Sequence, residues 1–169
     1  VAKIVFALKS FSRADTSGDM HLVDVQTGLE TVLTIYQNQI KQGTEVVRRY
    51  ESVAALRCLP DELNQVWTNL IHNSLQAMNY QGTLTVGIGC VDDCVVVSVG
   101  DTGCGIPPAL RERVFDPFFT TKPVVEGSGL GLDIVKKIID KHQGRIEVES
   151  EVDMGTTFRV YLPYTTSPA

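Results

Sequence analysis

The chain has 169 residues, 43% of them hydrophobic and 21% charged, with a formal net charge of −5. This is the size and composition of one globular domain with a sizeable core, not of a disordered segment. The negative sum argues against nonspecific nucleic-acid binding, so an anionic ligand would need local donors, helix ends or a metal.

No apolar run is long enough to cross a bilayer, and the start lacks the basic region and apolar core of a signal peptide. A soluble, cytoplasmic chain is expected, although the full-length protein can still be membrane-attached. Cys58, Cys90, Cys94 and Cys104 fit neither a zinc ribbon nor a dense disulfide scaffold. Cys90 and Cys94 could approach each other across a hairpin, but free thiols are the expectation.

Val1 to Arg13 repeats apolar residues at Val1, Ile4, Val5, Leu8 and Phe11, one face of a helix cut at its start. Ala14 to Met20 is small and polar and suits a linker, which puts a boundary before residue 21. His21 to Val25 reads as a short strand. Gln26 to Lys41 carries Leu29, Val32, Leu33, Tyr36 and Ile40 at helical spacing, and Glu45 to Tyr50 is a valine-rich strand.

Asp61 to Tyr80 is the stretch around which the rest is organised. Pro60 fixes φ at its start and Asp61 offers a capping carboxylate. Leu63, Val66, Trp67, Leu70, Ser74, Ala77 and Met78 fall on one stripe at a hundred degrees per residue, which predicts a helix burying that face. Beside the stripe runs a polar band of Glu62, Asn69, Asn73, Gln76 and Tyr80, with Asn69 and Asn73 stacked one turn apart. Alone, such a band is a solvated edge; paired amides can also hold a ligand.

Thr83 to Cys90 and Cys94 to Val99 form a hairpin through Val91-Asp92-Asp93. It ends in Asp101-Thr102-Gly103-Cys104-Gly105-Ile106. A turn explains these glycines but not the aspartate: an acceptor-only carboxylate beside an apolar cavity needs a donor, and the exocyclic amine of adenine is a candidate. Leu110 to Phe119 reads as a short basic helix ending in phenylalanines around Pro117, and Thr120 to Gly129, with Lys122, as a loop able to close over a ligand. Gly127-Ser128-Gly129-Leu130-Gly131-Leu132 opens a helix with Leu130, Ile134, Ile138 and Ile139 inward. Its glycines let backbone amides approach phosphate at the positive end of the helix dipole. Gly144 stops that helix, and Arg145 to Ser150 with Thr156 to Leu162 form a last hairpin through Asp153-Met154-Gly155.

Four blocks in order, TNLIHNSLQAM, DTGCGI, FDPFFTTK and GSGLGL, resemble the N, G1, F and G2 boxes of the sensor histidine kinase catalytic domain, of the nitrogen-regulation-like two-component class. That domain lies within the gyrase, chaperone, kinase and mismatch-repair ATPase superfamily. The similarity runs from about His21 to Pro163 and includes the closing GTTFRVYLP. It implies an α+β fold, a two-layer α/β sandwich of the Bergerat type with a mixed sheet backed by three helices and ATP held between helices and lid. The domain would span residues 21–165, with 1–13 the end of a dimerisation helix, 14–20 a linker and 166–169 a tail.

By position, the resemblance makes Asn73 the ligand of a Mg²⁺ ion on the phosphates, with Asn69 assisting. Asp101 would accept from adenine, aided by Thr157 through water, with Gly103, Gly105 and Ile106 bordering the base. Gly127, Ser128, Gly129, Leu130, Gly131 and Leu132 would form the phosphate-facing turn, and Lys122 would approach the anionic tail. Arg111 and Arg113 are lesser candidates, read as solvated charges, and Gln76 stands where relatives often carry a basic phosphate contact. Asn69 occupies the place of the glutamate that activates water in hydrolysing relatives, and an amide cannot take that proton. The implied reaction is therefore transfer of the γ-phosphoryl group to a histidine, then to a response-regulator aspartate.

None of His21, His72 and His142 is followed by an acidic residue, as the family's acceptor is, so the acceptor is expected upstream on a dimerisation domain of a homodimeric parent, with the fragment itself able to be monomeric. His72 is read as lying on the back of its helix and His142 as a helix-end surface residue. A superfamily ATPase or serine/threonine kinase, and a non-catalytic nucleotide-sensing scaffold, remain as alternatives.

Overall fold

A computed structural model describes residues 20–116 and 131–164. Its elements in chain order are β1 (His21–Val23), α1 (Val25–Ile35), α2 (Gln37–Ile40), β2 (Thr44–Tyr50), β3 (Leu56–Cys58), α3 (Pro60–Ala77), β4 (Gly82–Val91), β5 (Cys94–Asp101), α4 (Gly131–Lys141), β6 (Arg145–Glu151) and β7 (Gly155–Pro163), with a 3-10 turn at Pro108–Leu110. Five strands form one mixed sheet in the order β2-β4-β5-β7-β6; β2 lies parallel to β4 and every other pair is antiparallel. A separate ribbon pairs β1 with β3.

Strand alternation decides which face is covered. Val95, Val97 and Val99 of β5 are buried, as are Phe158, Val160 and Leu162 of β7 and Leu84, Val86 and Ile88 of β4, and all join one core with Leu29, Trp67, Leu70 and Ile139 from α1, α3 and α4. The intervening residues Thr157, Arg159 and Tyr161 lie on the other face, where Arg159 pairs with Glu149 at 2.8 Å and Arg145 stacks 3.9 Å above the Tyr161 ring. The result is the expected two-layer α/β sandwich, three main helices on one side of a mixed sheet.

Several local expectations change. Val25 belongs to α1 rather than to the first strand, because the Asp24 side chain caps the helix by accepting from Gln26 N–H at 3.0 Å. The single helix expected over 26–41 is interrupted at Tyr36, which closes α1 and opens α2. α3 ends at Ala77, and Asn79 and Tyr80 take positive φ of 52° and 62°. Leu59 is its N-cap and Pro60 the first helical residue, so Asp61 sits in the first turn, favoured by the dipole, instead of capping. Its buried face also takes in Thr68, Ile71 and Leu75. The basic helix expected from Leu110 is a run of turns as far as Asp116, and its remainder lies outside the described residues. The hairpin register pairs Cys90 with Val95 and Cys94 with Val91, which puts the two thiols on opposite faces; all four cysteines are free.

Candidate functional site

α3 is the floor of the site, because its polar edge meets two other elements. Asn69 Nδ2 donates to the Gly131 carbonyl at 3.1 Å. A methyl group placed on Gly131 would lie 3.8 Å from Asn73 Nδ2 and 3.9 Å from Asn69 Cγ, so both amides flank the start of α4 at van der Waals range. Leu132 packs on the core, fixing that helix end. The next residue along α3, Ser74, faces the carboxyl of Asp101. The N-box helix thus touches the G2 segment with residues 69 and 73 and the G1 loop at its end, through Ala77 O.

Asp101 closes β5 on the helix-facing side of the sheet. Its Oδ1 accepts from Gly103 N–H at 2.8 Å. Burial pushes its carboxyl above the ordinary range; the Gly103 amide, the Ser74 hydroxyl and the Thr156 backbone pull it back without cancelling the shift. The loop beyond lies flat on the end of α3: Cys104 N–H donates to Ala77 O at 3.2 Å, and a Cβ on Gly103 would stand 2.5 Å from that same oxygen. Gly105 has φ +74°, a conformation side chains resist. Ile106, partly buried against the core, donates its N–H to Ser150 Oγ at 2.7 Å.

The register corrects one expected residue. Thr157 pairs with Gly100 and points to the open face, away from Asp101; Thr156 is the residue opposite Asp101, and it is buried. Ser74, Ser150 and Thr156 are the polar groups that sequence reasoning missed. Thr156 was reachable by counting back two from the core residue Phe158. Arg111, expected to be solvated, donates through Nη2 to the Ser150 carbonyl. Lys122, Gly127, Ser128, Gly129 and Leu130 lie outside the described residues.

The histidines also differ from expectation in one case. His142 is 2% exposed: Nε2 accepts from Leu59 N–H at 3.0 Å, which leaves Nδ1 to donate to Ile138 O at 2.8 Å and ties the end of α4 to the start of α3. The His72 ring packs 5.6 Å from that of Tyr36. A hollow of about 310 Å³ lies elsewhere, between the first turns of α1 and α3, lined by Asp24, Leu63, Asn64 and Trp67 among others, and it includes none of the expected site residues.

Residues 58–166 match the family described as histidine kinase-, DNA gyrase B- and HSP90-like ATPase. The chain belongs to this ATPase family. An ATP site comes with that membership. Curated relatives include the sensor histidine kinase ZraS of Salmonella typhi, 37% identical over 150 residues covering 85% of this chain and 32% of that protein. Sporulation kinase E of Bacillus subtilis is 40% identical over 114 residues, covering 67% and 15% respectively. The chain therefore spans a third or less of the length of these relatives. Among solved structures, the nucleotide-free catalytic domain of histidine kinase ThkA superposes with a TM-score of 0.79 at 29% identity, covering 87% of this chain and 97% of that one. Full-length ShkA in complex with AMPPNP superposes with a TM-score of 0.78 at 25% identity, covering 98% and 36%.

Proposed function

We propose that this histidine kinase-type ATPase domain is the catalytic unit of a two-component sensor kinase: it binds Mg-ATP and moves the γ-phosphoryl group to a histidine of a preceding dimerisation domain. The P–O bond to ADP breaks, a P–N bond to the imidazole forms, and the phosphohistidine then serves a response-regulator aspartate. The observation that carries this reading is the meeting on α3 of Asn69 and Asn73 with Gly131, and of the helix end with the loop after Asp101, where Cys104 N–H donates to Ala77 O.

The residues divide the work by chemistry. Asp101, acceptor-only when ionised, takes the adenine amine. Thr156, on the same face, is the second polar group of the base pocket in place of Thr157. The amides of Gly127, Ser128, Gly129 and Gly131 would face the phosphates at the start of α4, with Leu130 and Leu132 as anchors and Lys122 from the lid on the anionic tail. Asn69 cannot act as a base, so water is not activated and transfer is favoured over hydrolysis.

The donor set suits Mg²⁺: a hard cation held chiefly by phosphates needs only one or two protein oxygens, and the Asn73 amide beside Gly131 carries one. Asn73 would supply that oxygen. The ion would neutralise phosphate charge and orient the γ-group.

None of the three histidines suits the acceptor role; His142 in particular has both ring nitrogens engaged. Calorimetric titration of the chain with ATP and ADP, with and without Mg²⁺, tests the reading. Asn73→Ala should abolish the Mg²⁺ dependence and weaken Mg-ATP by about tenfold or more, worth at least about 1.4 kcal/mol. Added dimerisation helices bearing a histidine should gain acid-labile phosphate. Magnesium dependence that survives in Asn73→Ala would refute the metal assignment, and stable acid-labile phosphate on the chain's own histidines would refute the acceptor assignment.

A further inference from the structure

β2 lies at one edge of the main sheet and, among the described residues, pairs with β4 alone. Gly43 C=O accepts from Gly82 N–H at 3.1 Å and Glu51 N–H donates to Ile88 O at 2.9 Å, so the odd-numbered residues of this segment spend their backbone groups on β4. Backbone direction alternates along a strand. The N–H and C=O groups of Thr44, Val46, Arg48 and Tyr50 therefore point outward, and the seven residues of β2 form a template for another strand.

The side chains here do not blunt the edge as a row of like charges would. Glu45, Val47 and Arg49 share the open face of the sheet; Glu45 and Arg49 are exposed, and neither enters an ion pair among the described residues. Arg48, on the helix side, is already held by Glu30 at 2.6 Å. The opposite edge differs, since on β6 Glu149 pairs with Arg159 at 2.8 Å and Glu147 accepts from Tyr161 Oη at 3.2 Å. β2 is thus left with one unpaired acid and one unpaired base, and a valine midway between them.

An identical strand laid antiparallel about a twofold axis meets these outward groups only if the axis passes through a residue, because even-numbered residues must then face even-numbered ones. With the axis at Val47 the strands overlap along their whole length, Val47 meets its own copy and each Glu45 faces an Arg49. An axis at Arg48 sets Glu45 against Glu51, and one at Val46 sets Glu45 against Val47 and Arg49 against Gly43. The first register alone satisfies both charges.

We infer that the β2 edge is a docking surface for a second copy of this chain, joined antiparallel about Val47, with Glu45 and Arg49 of each copy paired to Arg49 and Glu45 of the other. The contact runs two five-stranded sheets into one. β4 separates this edge from Asp101 on β5, so the inference stands apart from the nucleotide reading. A parent already dimeric through a preceding domain would hold two such edges at about millimolar effective concentration, where a contact of modest affinity suffices.

Sedimentation equilibrium of the full 169-residue chain, carried up to about millimolar concentration, should show reversible association of monomer to dimer. Glu45→Arg and Arg49→Glu each set like charges opposite one another at both symmetry-related positions, so each variant alone should dimerise at least about tenfold more weakly. Mixed together, the two variants restore both opposite-charge pairs, and the mixture should associate as the parent does. If a reversed variant fails to fold, Glu45→Gln takes its place and should weaken association without reversing a charge. A parent that stays monomeric throughout, a single variant that associates as tightly as the parent, or a mixture no tighter than either variant alone would each overturn the inference.

Discussion

At Asp101 stability and function pull in opposite directions. Burial holds its proton more tightly in the fold than in the unfolded chain, where the ordinary value is 3.8, so its contribution to stability is full below that value and is lost as pH rises through the elevated one. At neutral pH the ionised carboxyl thus costs the empty domain stability. An adenine amine favours the ionised form, so nucleotide binding should expel the proton, and affinity should fall on acidification at a higher pH than for an unperturbed carboxylate. Asp101→Asn keeps an oxygen for the Gly103 N–H while removing the charge. It should unfold at the same or higher temperature at pH 7.5, bind ADP at least about tenfold more weakly and lose the acidic arm of the affinity profile. A drop in melting temperature together with unchanged ADP affinity would contradict this account.

Among the elements, α3 and α4 carry the phosphate side of the site at one end and are fastened at the other. His142 holds Leu59 N–H, and Lys141 pairs with Glu62 at 3.1 Å. Magnitudes separate the two ties. The Lys141 pair is more than half exposed on the lysine side, and such pairs contribute roughly 0.2–1 kcal/mol. Removing a fully buried ring and stranding a backbone donor costs about 2–4 kcal/mol. His142→Ala should therefore lower stability severalfold more than Lys141→Ala in urea unfolding, and should weaken nucleotide binding through Asn69 and Gly131; equal losses would show that the ring is not the fastener. The two helices themselves were plain from apolar spacing, but this fastening was not, because a histidine at a helix end looks the same in sequence whether it meets water or a backbone amide 83 residues away. The strand β3 was hidden for a similar reason: Leu56 and Cys58 are buried, yet three residues with Arg57 between them carry no period until β1 pairs with them. The break at Tyr36 leaves the apolar spacing intact, so periodicity could not report it.

For the molecule as a whole, the order of the strands settles what is rigid and what is peripheral. The four boxes could be found by inspection, but which of Thr156 and Thr157 faces the aspartate depended on the register of β7 against β5, a non-local fact fixed by the turn through Asp153, at φ 64°, and Gly155. That pairing lies at the centre of the sheet. β5 has β4 on one side and β7 on the other, and Val95, Val97 and Val99 are fully buried, so their neighbouring amides can reach water only when the domain opens. The β1–β3 ribbon is two strands of three residues, with Leu22 69% exposed, and so short a pair has little stability of its own. Hydrogen exchange followed residue by residue should rank amides of β4, β5 and β7 slowest and those of β1 fastest, by orders of magnitude. ADP should slow exchange further at Gly103, whose N–H is bonded to Asp101, because the bound base stabilises the ionised acceptor of that bond. Protection of β1 equal to that of β5 would mean that the ribbon is part of the same cooperative unit, and Gly103 exchange indifferent to ADP would separate the aspartate from the base.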